Sequence, residues 1–186
     1  RPRFAGEASG DPSVVGRALG LMHKCARTYA LHSIACASME LRPRPFAEQL
    51  RKDCDFASAK LASSDIGAEY TKLVEENVPL ILRDLQPQWV HANFTQASCR
   101  QHVKTRRVRI DCTEGGREHC RLWDLYHLFV WDFSKRGLEA GTQAFPVALR
   151  AYFKHVDQPP SRKEAALLVP VFLLRTGLLL AECVDE

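Results

Sequence analysis

The sequence predicts a mainly helical α+β domain with a small β-hairpin near its middle. Apolar residues recur every three or four positions on both flanks, the signature of amphipathic helices. A period of two shows only within Val103 to Ile110, after a short β candidate at Trp89-Val90. With 186 residues and 46% apolar content, the chain has enough material for one core.

Asp11-Pro12 offers an N-cap followed by proline at the first helical position. Val15, Leu19, Met22, Ala26 and Tyr29 then step by three and four, so residues 12–31 predict a helix. Arg42-Pro43-Arg44-Pro45 breaks the chain. A second helix carries Phe46, Leu50, Phe56 and Leu61. Ser63-Ser64-Asp65 predicts the cap of a third, with Ile66, Tyr70, Leu73 and Val74 on one face and a kink or restart at Pro79 before Leu85. Trp89-Val90 is a short strand candidate. Val103 to Ile110 is a longer one, in which Val108 and Ile110 alternate with Arg107 and Arg109 as in a half-exposed strand. Gly115-Gly116 closes this region.

Helical signals then return. Leu122, Leu125, Phe129 and Phe133 form a stripe ended by Gly137 as a C-cap. Phe145, Leu149, Tyr152 and Phe153 form another. Ser161-Arg162-Lys163-Glu164 is a capping box that opens a last helix through about Cys183. The expected layout is three helices, a small β insert and three more helices, without repeats or low-complexity tracts, in a single domain over 1–186.

Ten Gly and ten Pro are too few for a collagen-like or disordered polymer. The net charge of +4 is mild and permits an acidic or phosphorylated partner without by itself implying nucleic acid. The seven cysteines are odd in number and widely spread, which argues against a disulfide framework and for an intracellular, reducing compartment, cytoplasm or organelle matrix. Arg-Pro-Arg-Phe at the start holds no apolar signal region. The longest apolar run, Leu167 to Val184, contains Pro170, Arg175 and Glu182. A central arginine is costly in a membrane, so the run predicts a buried core helix and no membrane span.

Residues 89–98 read WVHANFTQAS, 107–116 read RVRIDCTEGG and 121–128 read RLWDLYHL. Together they resemble the central motifs of the aminoglycoside phosphotransferase family, which includes choline and homoserine kinase-like enzymes. In that family a His-x-Asp begins the catalytic loop and an Asn follows five residues after the Asp. A short hairpin leads to a second Asp, and an Asp-Leu segment opens the next helix. The likeness extends to residues 15–23, similar to the family's first C-lobe helix, and to Phe4-Ala5-Gly6, similar to the segment after the lobe hinge. The resemblance covers nearly the whole chain. It implies a protein-kinase-like C-lobe, helical with a small central β-hairpin, with residues 1–12 as an extended post-hinge segment and 89–116 as the catalytic loop and hairpin.

Residue by residue, His91 falls on the motif His, and Asn93 stands where the catalytic Asp is expected. Ser98 stands for the metal-binding Asn, Asp111 falls on the magnesium-binding Asp, and Asp124 on the Asp of the later segment. Asp124 is read as structural, a helix N-terminal carboxylate or a loop anchor. In phosphoryl transfer the first Asp takes the acceptor's proton. An amide holds a hydroxyl but accepts no proton, and that assistance is worth roughly 10²–10⁴ in rate. One metal carboxylate, Asp111, remains where magnesium sites use one or two plus phosphate oxygens. About a dozen residues precede the first helix, so no N-lobe with a Gly-rich loop and strand lysine is expected in this chain, and no ATP in the usual way.

The resemblance therefore implies a catalytically degenerate kinase-like (pseudokinase) domain without a cofactor in this chain. It would serve as a binding or scaffolding subunit alongside other protein subunits. The alternative is an active small-molecule phosphotransferase using Mg-ATP, its N-lobe outside this chain.

Two further constellations overlap the same stretch. Cys99-x₂-His102, Cys112 and His119-Cys120 offer soft ligands, but no Cys-x₂-Cys pair is present and the spacing is irregular. Buried thiols are the expected reading and zinc is not. Arg100, Lys104, Arg106, Arg107 and Arg109, with His102, form a basic cluster. It is read as a solvated hairpin or as a partner surface for an acidic protein, anionic lipid or RNA. No aromatic is interleaved to stack on bases. A basic accessory protein of a ribonucleoprotein is thus a third functional class.

Overall fold

A computed structural model describes residues 6–8, 10–28, 45–92, 94, 98–102, 104–110 and 117–184. In chain order the elements are β1 (Gly6–Ala8), α1 (Pro12–Thr28), α2 (Phe46–Leu61), α3 (Gly67–Asp84), β2 (Pro87–Val90), β3 (Cys99–His102) and β4 (Val108–Ile110). They continue with β5 (Arg117–Cys120), α4 (Leu122–His155), α5 (Arg162–Ala166) and α6 (Leu168–Cys183). The mainly helical class and the central β insert stand as the sequence predicts.

Helix α1 opens on the expected cap. The Asp11 carboxylate accepts from the Ser13 amide at 2.9 Å and from its hydroxyl at 2.8 Å. Its buried face carries Val15, Ala18 and Leu19, and lies directly on α4. The two backbones nearly touch. A Cβ added at Gly16 would sit 2.0 Å from the Ala148 carbonyl oxygen, and one at Gly20 would sit 2.7 Å from that of Tyr152.

In α2 the buried residues are Phe46, Leu50, Cys54, Ala57 and Leu61, at steps of four and three. Phe56 falls off this stripe, is exposed, and lies under the Lys60 ammonium at 5.9 Å. The Ser64 hydroxyl donates to the Leu61 carbonyl, so it finishes α2 rather than capping α3. Gly67 makes the tight corner between them, since a Cβ there would lie 2.3 Å from the Leu61 carbonyl oxygen. Pro79 neither ends nor restarts α3, which runs on to Asp84. Pro79 is exposed, so water is at hand for the carbonyl it deprives of a partner.

The expected break at Gly137 does not occur: α4 is one helix from Leu122 to His155, with Pro146 also inside it. An interior glycine costs only about 1 kcal/mol. Contact with α1 through buried Ala144, Ala148 and Tyr152 outweighs that. The capping box forms in part: Ser161 Oγ accepts from the Glu164 amide at 3.1 Å. The Glu164 carboxylate turns instead to Arg121, as a two-pronged pair at 2.5 and 2.6 Å, while Arg121 also donates to the Gln158 carbonyl at 2.9 Å. The chain then bends at Leu167, so the expected last helix is two, α5 and α6.

This pair ties the start of α4 to α5, and both side chains are largely shielded from solvent. Arg121→Ala is expected to lower stability by about 2–3 kcal/mol in urea titration, since Glu164 loses a charge-assisted fork. Arg121→Lys should recover only part of that.

Helix α6 buries Val171, Leu174, Arg175, Gly177, Leu178 and Ala181 against the bundle. Its opposite face leaves Val169, Leu173, Leu180 and the following Val184 exposed, so the run is half-buried rather than the fully buried helix expected. Gly177 admits the Tyr70 ring, whose hydroxyl donates to the Leu174 carbonyl at 3.1 Å. Arg175 lies over the Trp123 ring at 5.2 Å. Among the described residues, no helix is long and apolar enough to cross a membrane.

The strands form two small antiparallel sheets, β1–β3–β4 and β2–β5. The single long strand expected over 103–110 is replaced by the hairpin of β3 and β4. The turn between them has Arg106 at φ 56°, its amide donating to the His102 carbonyl at 2.9 Å. The alternation from Arg107 to Ile110 was real, but Lys104-Thr105-Arg106 supply a polar turn. β1 and β5, of three and four residues, are too short for periodicity to reveal.

Candidate functional site

The loop that follows β2 is held by one buried carboxylate. Asp124 lies in the first turn of α4 and is wholly buried. Its Oδ2 accepts from the His91 amide at 2.7 Å and from His23 Nε2 at 2.9 Å, and its Oδ1 accepts from the Ala92 amide at 2.8 Å. His23, on α1, pairs through Nδ1 with the Tyr152 hydroxyl of α4 at 2.8 Å. Thus α1, α4 and the exit of β2 meet on one side chain.

The electrostatics follow from that crowding. Burial pushes the Asp124 pKa upward, but the hydrogen bond and attraction of His23, with the two backbone amides, outweigh it. The carboxyl is held below its ordinary range and stays ionised. The clamp also supports local strain, because Ala92 has φ 71°, a left-handed conformation unfavourable for a residue with a Cβ.

His91 itself points inward. It is buried and meets Phe94 edge to face, with ring centroids 5.6 Å apart. Ser98 sits half-buried in the turn entering β3. Asn93 and Asp111 lie outside the described residues, as does Cys112. Asp124 thus gathers His91 and Ala92, whereas Ser98 and the basic hairpin lie beyond the clamp.

Residues Arg100, Lys104, Arg106, Arg107 and Arg109 are all exposed on the β3–β4 hairpin. The buried thiols are poor nucleophiles at neutral pH. Burial pushes Cys99 up to about 11 and Cys54 and Cys120 up to about 12, far from the thiolate form at neutral pH. Among the described residues, no three His, Cys, Asp or Glu side chains converge as a metal site would require. His119 is buried instead between Phe46 and Trp123, at 4.8 and 4.0 Å between ring centroids.

Sequence reading did not find the roles of His23 and Tyr152. The available signal was a polar group on an otherwise apolar helical face: His23 follows Gly16 and Gly20 at steps of four and three, toward α4.

A crystal structure of an aminoglycoside-3'-phosphotransferase of type VIII matches this architecture with a TM-score of 0.60. The match covers 94% of this chain at 17% identity. The chain has an aminoglycoside-phosphotransferase-like fold. It spans 66% of the length of that structure. No family model and no curated protein matches the chain. In this kinase-like fold the clamp fixes the exit of β2 at His91 and Ala92.

Proposed function

We propose that this kinase-like domain keeps the backbone clamp of a catalytic loop but has lost its proton-accepting carboxylate, and acts as a binding or scaffolding subunit of a protein complex. The observation that carries the reading is Asp124 holding His91 and Ala92 directly ahead of Asn93. In the sequence the next residue is an asparagine, an amide at the motif position where phosphoryl transfer calls for a base. Support for a partner comes from α6, where exposed Val169, Leu173 and Leu180 fall at steps of four and seven along one face.

The second reading is an active phosphotransferase acting on a small-molecule hydroxyl with Mg-ATP. Asp111, at the magnesium-binding position of the resembling motif, favours it, with Ser98 as a neutral companion. The two readings separate in a thermal shift of the full-length protein with millimolar Mg-ATP, beside Asp111→Ala. The scaffold reading expects no shift. Ligand at a hundred times its Kd stabilises by about 2.7 kcal/mol. A shift of that size abolished by Asp111→Ala would transfer the conclusion to the enzyme.

A further inference from the structure

One hairpin accounts for the chain's net positive charge. Between Ser98 and Ile110 lie Arg100, Lys104, Arg106, Arg107 and Arg109, with no Asp or Glu among them. These five charges exceed the net +4 of the whole chain, so everything outside the hairpin is on balance acidic. Mild overall basicity therefore conceals a strong local field.

The strand register fixes where that field points. Cys99 pairs with Ile110 and Gln101 with Val108. Cys99 is buried, and Val108 and Ile110 pack on the core. The pleat then turns the intervening pair, Arg100 opposite Arg109, to the outer face. The ladder continues with His102, whose amide donates to the Arg107 carbonyl, so two successive rungs of basic residues share that face. On the third strand Ala8 pairs with Arg100, Glu7 with Gln101 and Gly6 with His102.

We propose that this outer face of β1–β3–β4 is a platform for the sugar–phosphate backbone of nucleic acid, without base readout. Four of the five cations are arginines, whose planar forks suit phosphate oxygens. The arrangement in rungs along a strand offers repeated contacts to a repeating anion. Protein interfaces concentrate aromatic and apolar groups at their centre and deplete charge there. This face shares the arginine of such interfaces but has no aromatic or large apolar side chain among its outward-facing described residues, which favours phosphate over an acidic protein. The lack of an interleaved aromatic removes stacking and with it preference among bases. This inference is independent of whether the kinase-like loop is active.

The test is fluorescence anisotropy of the full-length protein with 20-nucleotide oligo(U) and oligo(A) RNA across a salt series. Four or five phosphate contacts should weaken binding on the order of 50- to 100-fold between 50 and 200 mM salt, equally for both sequences. Arg100→Gln with Arg109→Gln should weaken binding about tenfold or more and reduce the slope of log affinity against log salt by about 1.4. Lys72→Gln, at an exposed position on α3, should change neither. Unaltered melting of the double variant would show that the fold is intact. The proposal is overturned by absent binding at physiological salt or by binding indifferent to the arginine pair. It is equally overturned if polyglutamate or phosphatidylserine vesicles bind as tightly as RNA at equal charge, which would assign the face to acidic proteins or membranes.

Discussion

Asp124→Asn is expected to destabilise the protein by about 3–5 kcal/mol, although it removes no volume. The carboxylate accepts three hydrogen bonds inside the bundle. An asparagine oxygen placed toward His23 and the His91 amide keeps two of them. Its NH₂ then faces the Ala92 amide, donor against donor. Breaking a buried charged arrangement by altering one member costs in this range, because the remaining groups stay desolvated and unsatisfied. Ala92 would also lose the contact that holds it at positive φ. Tyr152→Phe makes a contrast: it removes only a hydroxyl, which meets His23 and also interacts with the Arg121 side chain, and should cost about 1–2 kcal/mol. Urea titrations of the two variants check the ordering, and an Asp124→Asn midpoint equal to the parent's would refute the clamp.

The same carboxylate gives a pH signature whose sign is fixed. Asp124 has a lower pKa folded than unfolded, so the folded state binds fewer protons. Its stabilisation is complete above the unfolded value of about 3.9 and is lost as pH falls through the folded one. The parent should therefore lose stability on acidification from about pH 5 to pH 2, and Asp124→Asn should lose correspondingly less. Parallel acid limbs for the two proteins would mean that another carboxylate dominates there.

What the sequence disclosed and what it withheld divide along contact distance. The stripes of α1 and α2 are local, and their helices were legible down to the Asp11 cap. The bend at Leu167 had a local signal that was passed over: Pro170 has no N–H to donate to the Ala166 carbonyl. Gly137 and Pro146 look like stops in isolation and are overridden by the packing of α4 on α1. The role of Asp124 as an anchor could be suggested from its place at a helix start. Its partner His23 could not, for the two are 101 residues apart and meet only once the helices cross. The candidate loop was readable as text at His91-Ala92-Asn93, whereas the strain at Ala92 and the inward turn of His91 are products of tertiary structure.

The crossing that brings His23 to Asp124 depends on glycine, and Gly16→Val is expected to be the most disruptive substitution in α1. Its Cβ alone would fall 2.0 Å from the Ala148 carbonyl oxygen, a backbone atom that cannot rotate away. Relief requires α1 to lift off α4, which opens the interface lined by Val15, Ala18 and Leu19. A loss of about 3 kcal/mol or more follows from overpacking of this severity. In a chain of this length that is a fall of about 6–12 °C in Tm. Gly20→Ala should do less, since its nearest atom would be at 2.7 Å. Gly10→Ala, with nothing within 4 Å, should stay within about 0.5 kcal/mol. Lifting α1 also withdraws His23 from the clamp, because Gly16, Gly20 and His23 share the face toward α4. Gly16→Ala and Asp124→Asn should accordingly be less costly together than the sum of their separate effects. Strict additivity in that double-mutant cycle would show that the glycine crossing and the loop clamp are independent, and that the loop does not owe its geometry to how closely α1 approaches α4.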